Sequence, residues 1–427
     1  MSETLSPLAP PKNHPSVSLT GSQPAARLTH IDALRGLLLV LMAVNHIPSP
    51  LHPFTEHPLG FMSAAEGFVF MAGLMAGYVY TRTWLRRDFT ALRQACTRRA
   101  IGIYRQHIAI FVLVLAGLAI AGFCAGTLPA NTPESFLHHP ARLLLSGLVL
   151  IQQPSLFDIL PMYFALIFAT PWLLKACDRR REIHLLAGSF FLWAAANIFS
   201  PQTPVDNGWV NTGAFNLAAW QLLYVVGVTL GHRWARRTSI PPAETSRPCA
   251  HILGSPPRWA LASAALVATY LFSVRHGFLP APVSAESLAA ITNKNNLAPV
   301  RLLDTAVILF FVYLAASRFP RAFSWRPLAW IGRASLTVFS IHVLVAYAIQ
   351  SSPEIFADTA AGPWIGTGLM LAALALAATA QNLSNRKPTA TATVRPLQTR
   401  QRSTQPTIVG HEPRTPVPAN SFHRGSR

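Results

Sequence analysis

The chain has 427 residues, of which 51% are hydrophobic and only 12% charged, whereas a soluble domain carries about 25% charged residues. Lysine and arginine number 35 against 16 acidic residues, but the excess is spread in short clusters between apolar runs, which argues against a nucleic-acid-binding protein and for lipid as the solvent. The four cysteines, Cys96, Cys124, Cys177 and Cys249, form no closely spaced pair, so neither a disulfide framework nor a zinc site is expected.

Residues 1–26 are rich in proline and serine and contain no apolar run, which predicts a disordered tail rather than a cleavable signal peptide. Ten apolar segments follow, near 31–47, 61–80, 101–123, 158–176, 183–199, 214–231, 259–274, 301–317, 331–350 and 363–381. An eleventh run, Leu143–Ile151, is too short to cross a bilayer and reads as a re-entrant or interfacial helix. Residues 382–427 form a second tail, basic and predicted to be disordered. The expected fold is therefore all-α: a polytopic integral membrane protein of about ten transmembrane helices, with one membrane domain at 27–381 between the two tails.

Arginine and lysine cluster in alternate loops, at 81–100, 175–182, 232–258 and 318–330, while the intervening loops carry only Arg142, Arg275 and Lys294. By the bias of cytosolic loops toward basic residues, both termini are expected in the cytosol. No internal repeat is visible, which weakens a transporter reading.

Ionisable residues inside apolar segments are expensive and mark function or specific pairing. The first segment opens with Asp32-Ala-Leu-Arg35-Gly36 and closes with Asn45-His46. Asp32 and Arg35 are three apart and can pair on one helix face. Arg35 and His46 are eleven apart, which brings them within about 20° of the same face and about 16 Å apart along the axis. A long donor with a phosphate head, such as an acyl-coenzyme A, can bridge that distance, its phosphates on the guanidinium and its thioester beside an imidazole acting as general base. The plainer alternatives are an interfacial ion pair and a structural histidine. The second segment carries Glu66, at a depth similar to His46, as a candidate partner that would orient the imidazole; a protonated structural glutamate is the alternative. Gly73-x-x-x-Gly77 permits close helix packing. Farther along, Arg301 and Asp304 read as a local ion pair, Arg105 as a snorkelling cation, and His342 as a satisfied core histidine. Gln152-Gln153-Pro154 through Asp158 and Pro161-Met-Tyr163 form an irregular polar stretch suited to lining a cavity where a carbohydrate is bound, and Asp206 to Asn211 offers similar chemistry.

These segments resemble the OpgC family: Leu28-Thr-His-Ile-Asp32-Ala-Leu-Arg35-Gly36, Asn45-His46, Gly60-Phe-Met-Ser63-Ala-Ala-Glu66-Gly67, Gln153-Pro154, Asp158-Ile-Leu-Pro161-Met-Tyr163, and Ile331-Gly332-Arg333-Ala-Ser335 through His342. The spacing of Arg35 and His46 also resembles the hallmark of the broader superfamily of transmembrane acyltransferases. The resemblance implies a multi-pass enzyme of the bacterial inner membrane that transfers succinyl from succinyl-CoA to osmoregulated periplasmic glucans. It implies His46 as the catalytic histidine, with Glu66 inferred as its partner, Asp32 and Arg35 on the donor path, and Asn45, Gln153, Asp158, Tyr163 and His342 as acceptor-binding or structural residues. The expected partners are membrane lipid, the glucan acceptor and the acyl-CoA donor, with no nucleic acid, no metal and no permanently bound cofactor. Two routes stay open, direct attack of the sugar hydroxyl on the thioester and passage through an acyl-histidine. A transporter or flippase for a glycan or lipid-linked precursor is the alternative from another class, and a non-catalytic scaffold a third.

Overall fold

The structure is a computed structural model and describes residues 28–129, 131–199, 213–239 and 256–385. Most of both predicted tails, Cys249 and the stretch from Asp206 to Asn211 lie outside these residues. The described residues form sixteen helices and no strand. In chain order the first half comprises α1 (Thr29–Val44), α2 (His52–Thr55), α3 (Ala64–Arg86), α4 (Phe89–Ala125), α5 (Glu134–His138), α6 (Pro140–Leu148), α7 (Ile159–Asp178) and α8 (Glu182–Phe199). The second half comprises α9 (Leu217–Ser239), α10 (Arg258–Arg275), α11 (Ala285–Ile291), α12 (Pro299–Arg318), α13 (Arg326–Arg333), α14 (Ser335–Gln350), α15 (Pro353–Phe356) and α16 (Gly362–Ser384).

A helix coincides with each of the ten apolar segments, and the eleventh run largely becomes the nine-residue α6. Among the described residues, α4, α7, α8, α12 and α16 are long and apolar enough to cross a membrane. Large apolar side chains stand outward on them: Phe123 on α4, Phe191 and Phe199 on α8, and Ile365 and Leu376 on α16. Water would leave such contiguous apolar surface unsatisfied, whereas hydrocarbon accepts it.

Two boundaries differ from expectation. The predicted loop at 81–100 is almost all helix, because α3 runs to Arg86 and α4 starts at Phe89. The Asp88 carboxylate accepts a hydrogen bond from the Ala91 amide at 2.6 Å and so caps α4 at once. Over its 37 residues α4 is roughly 55 Å long by helical rise, longer than the hydrocarbon core, and its arginine-bearing first part exceeds what the apolar part needs. The predicted single segment at 331–350 is broken at Ala334 into α13 and α14, which meet at 87°. Close packing of α13 on α1 accompanies this break: a Cβ at Gly332 would meet the Asp32 carbonyl, and one at Gly36 the Leu328 carbonyl.

Glycines also set the tightest helix pair. Gly73 and Gly77 on α3 lie against the backbone of Tyr224 and Val228 on α9, while Gly227 and Gly231 on α9 lie against the backbone of α3 at Phe70, Leu74 and Tyr78. Each helix thus presents a small-x-x-x-small face to the other, and the two backbones approach without intervening side chains. The far end of α9 is tied by ion pairs from Arg233 to Glu182 and from Arg236 to Asp178, so part of the basic cluster at 232–258 is locally paired.

Candidate active site

Asn45 and His46 follow the last turn of α1, in a turn beside the start of α3, the stretch preceding α7, and α14. The Nδ1 of His46 lies 2.9 Å from Nε2 of His342 on α14. The ring centroids are 5.2 Å apart and the ring planes 24° from parallel, so the two imidazoles meet edge to edge. On its far side the His342 ring places Nδ1 2.6 Å from the Phe339 carbonyl oxygen. The His46 backbone carbonyl accepts from Gln350 at 2.7 Å, which pins the turn to the last residue of α14. Asn45 fixes the other flank by donating to the Thr55 carbonyl at 3.0 Å and accepting from the Thr55 hydroxyl at 2.5 Å.

His46 opens on a cavity of about 340 Å³ lined also by Asn45, Ser63, Gln153, Asp158, Lys294 and Phe339. Asp158 is held there by the Ala214 amide, which donates to its carboxylate at 2.5 Å. Lys294 places its ammonium 5.7 Å from the Phe215 ring centre. The Phe339 side chain also lines a second cavity of about 230 Å³, which holds Arg35, Arg99, Tyr80, Tyr163 and Ser335. Arg35 donates to the Ser335 hydroxyl at 2.5 Å, so the first residue of α14 orients the guanidinium. Tyr163 is buried in this cavity with its hydroxyl unpartnered. On the other side, Gln153, Pro154 and Ser155 are shared with a third, polar cavity of about 730 Å³ lined by Asn131, Glu134, His138, His139, Arg142 and Gln152. Gln153 is buried and neither its amide nitrogen nor its oxygen has a partner. Three cavities thus adjoin in series, with His46 in the middle one.

Glu66 serves a different arrangement. It occupies the third position of α3, where its carboxylate accepts from the Ser63 amide at 2.9 Å and from the Ser63 hydroxyl at 2.5 Å. Its other oxygen accepts from Arg301 at 2.6 Å. Both groups are almost fully enclosed, with side-chain exposures of 0% for Glu66 and 7% for Arg301. The expected pairing of Glu66 with His46 is therefore replaced by a buried ion pair with α12, and the position facing the imidazole is taken by His342. Ser63-x-x-Glu66 is a capping-box pattern, and that signal in the sequence points to the role found.

One other expected pair is rearranged. Arg301 does not pair with Asp304: it reaches Glu66, while Asp304 accepts from the amides of Phe61 and Met62 at 2.7 and 2.8 Å. Arg301 and Asp304, a turn apart, instead clamp the chain where it enters α3. Asp32 lies 3.6 Å from Arg333 of α13, and Arg35 bonds to Ser335, so both residues of the predicted α1 pair hold the α13–α14 corner. Above the clamp, His57 has Nε2 3.2 Å from Arg301 and Nδ1 3.3 Å from Arg275. Partial burial, and then the two guanidinium groups, push its pKa down to about 4.

Arg99, Lys294 and Arg301 reach the site without having been singled out for it. Arg99 and Lys294 belong to segments whose charge reads from sequence only as a loop property, and no local spacing ties them to α1.

The chain matches the model of the family described as OpgC protein over residues 27–387, and it belongs to that family. No curated protein and no solved structure matches it.

Proposed function

We propose, with that membership as the premise, that the protein is a multi-pass O-acyltransferase of the bacterial inner membrane that carries an acyl group from acyl-CoA to a hydroxyl of a periplasmic glucan. The observation that carries this reading is the position of His46: its imidazole lines a cavity that adjoins an arginine-bearing cavity at Phe339 and a polar one at Gln153. In this reading all ten apolar segments cross the membrane, α13 and α14 together as one broken span, both termini are cytosolic, and the donor arrives through the arginine-bearing cavity.

Arg35, oriented by Ser335, and Arg99 suit the phosphates of coenzyme A, because guanidinium groups pair well with phosphate oxygens. Asp32 supports the same corner through Arg333. The polar cavity suits a polyhydroxylated acceptor: its lining offers amides, imidazoles, a carboxylate and a guanidinium, and little apolar surface for a lipid chain. Gln153, with both ends of its amide open, sits where that acceptor would pass toward His46. Asp158 would meet it at the same place, and Tyr163 would face the donor. Lys294 beside His46 suits an acyl chain ending in a carboxylate, as succinyl does.

In the direct route the acceptor hydroxyl gives its proton to the His46 imidazole as its oxygen bonds to the thioester carbon. The carbon–sulfur bond then breaks, and the departing sulfur takes the proton back from the imidazolium. The products are a sugar ester and free coenzyme A, with no net change at the protein. An acyl-histidine route would load the same imidazole first.

The test is purified full-length protein in lipid nanodiscs with radiolabelled succinyl-CoA and glucan. His46→Ala, shown to be folded by its unchanged melting temperature, is expected to lose transfer by at least about a hundredfold, the usual contribution of a positioned acid–base group. Wild-type levels of transfer in that variant, or glycan passage across proteoliposomes without ester formation, would refute the proposal.

A further inference from the structure

The hydrogen bonds around His46 fix which of its nitrogens is free to act. The Nδ1 of His342 lies 2.6 Å from the Phe339 carbonyl. A carbonyl oxygen has no proton to give, so His342 donates from Nδ1. A neutral imidazole protonated on Nδ1 carries its lone pair on Nε2. That lone pair lies 2.9 Å from Nδ1 of His46, so His46 donates from Nδ1 and keeps its own lone pair on Nε2. A doubly protonated His342 would break this order, but it would place a cation in a site only 2% exposed, packed edge-on against the Phe339 ring, where an uncompensated charge is costly.

We propose that His342 is the positioning residue for His46, holding it in the tautomer whose Nε2 is the base for the acceptor hydroxyl. The inference rests on the reading of His46 as that base. His342 touches neither substrate: it acts through the imidazole. When His46 takes the proton on Nε2, its Nδ1–H becomes the donor of a charged group, and the bond to His342 strengthens as charge develops. The relay ends on the Phe339 carbonyl one turn earlier in α14, a partner that cannot titrate or rotate away. Glu66 is engaged elsewhere, by Ser63 and Arg301. The remaining ionisable residues lining the cavity with His46 are Asp158 from the start of α7 and Lys294 from the segment before α12.

The test uses full-length protein in nanodiscs with ¹⁵N-labelled histidine, the His46 signals being assigned by their loss in His46→Ala. The expected wild-type spectrum has His46 protonated on Nδ1. In His342→Leu the tautomers become mixed, and kcat falls about ten- to a hundredfold, as loss of a hydrogen bond to a charged group implies, with KM for donor and acceptor little changed. His342→Gln, whose side-chain carbonyl can accept the same bond, restores the Nδ1-protonated form and part of kcat. Protonation of wild-type His46 on Nε2, an unchanged tautomer in His342→Leu, or equal loss of kcat and of melting temperature in both variants would overturn the proposal. Should the wild-type protein show no acyl transfer, the catalytic reading of His46 fails on that measurement, while the spectrum alone still decides whether His342 sets the tautomer.

Discussion

Removing one partner of the Glu66–Arg301 pair distinguishes a structural from a catalytic glutamate. At the 2.6 Å separation, the attraction between unit charges is about 6 kcal/mol with an effective dielectric constant of 20. Desolvation costs several kcal/mol for each ion and offsets most of it. The net worth of the intact pair is thus small, but a single deletion leaves one charge enclosed without its counterion. Glu66→Ala strands Arg301, and Arg301→Ala strands a carboxylate that is 0% exposed, so each is expected to destabilise by about 3–5 kcal/mol. The double variant Glu66→Ala, Arg301→Ala removes both charges and is expected to cost no more than either single, a coupling of about 3 kcal/mol. Thermal or denaturant unfolding in lipid nanodiscs, run as a double-mutant cycle, measures it. Additive losses would refute the argument. So would a Glu66→Ala variant that melts like the wild type yet transfers no acyl group, because that result would return Glu66 to the reacting atoms.

Gly77→Leu is expected to destabilise by about 1–3 kcal/mol through overpacking, since its Cβ would meet the Val228 carbonyl of α9; the midpoint of unfolding checks it. His57, with its folded pKa near 4 against about 6.5 in an unfolded chain, binds more protons unfolded than folded between those values. Stability should therefore rise from pH 4 to 6.5, and His57→Gln should flatten that part of a melting-temperature profile. Phe339→Ala opens the boundary between the donor and histidine cavities, and is expected to raise acyl-CoA hydrolysis in the absence of acceptor, read as the rate of free thiol release against the wild type. Lys294→Met, which removes the cation beside His46, is expected to lower kcat/KM for succinyl-CoA about tenfold relative to acetyl-CoA, the loss of one charge-assisted contact, measured by competition between the two donors.

The helical class was legible because apolar residues recur in runs long enough for membrane helices, and the runs coincide with observed helices from Thr29 to Ser384. The break at Ala334 was not, since 331–350 reads as one segment in spite of Gly332, Arg333 and Ser335 around that point, and the corner follows the packing of Gly332 on α1. Within the site, His46 and Arg35 could be found from their spacing along one apolar segment, although α1 ends at Val44 and His46 lies in the turn after it. Glu66 could be found as an anomaly in an apolar run, but its partner lies 235 positions away, and the partner of His46 lies 296 away. No periodicity links such positions. The capping pattern Ser63-x-x-Glu66 was the local clue that this glutamate is engaged by its own helix terminus.

From sequence alone came what depends on neighbours along the chain: apolar helices, a basic alternation of loops, and an arginine and a histidine eleven positions apart in the first apolar segment. Those follow from helical geometry and from the cost of exposing apolar groups to water, both of which act locally. The tertiary structure decided which charge meets which. It gave Glu66 to Arg301, Arg35 to Ser335 and His46 to His342, because a buried polar group takes the partner that helix packing brings within about 3 Å, however distant that partner is in the chain.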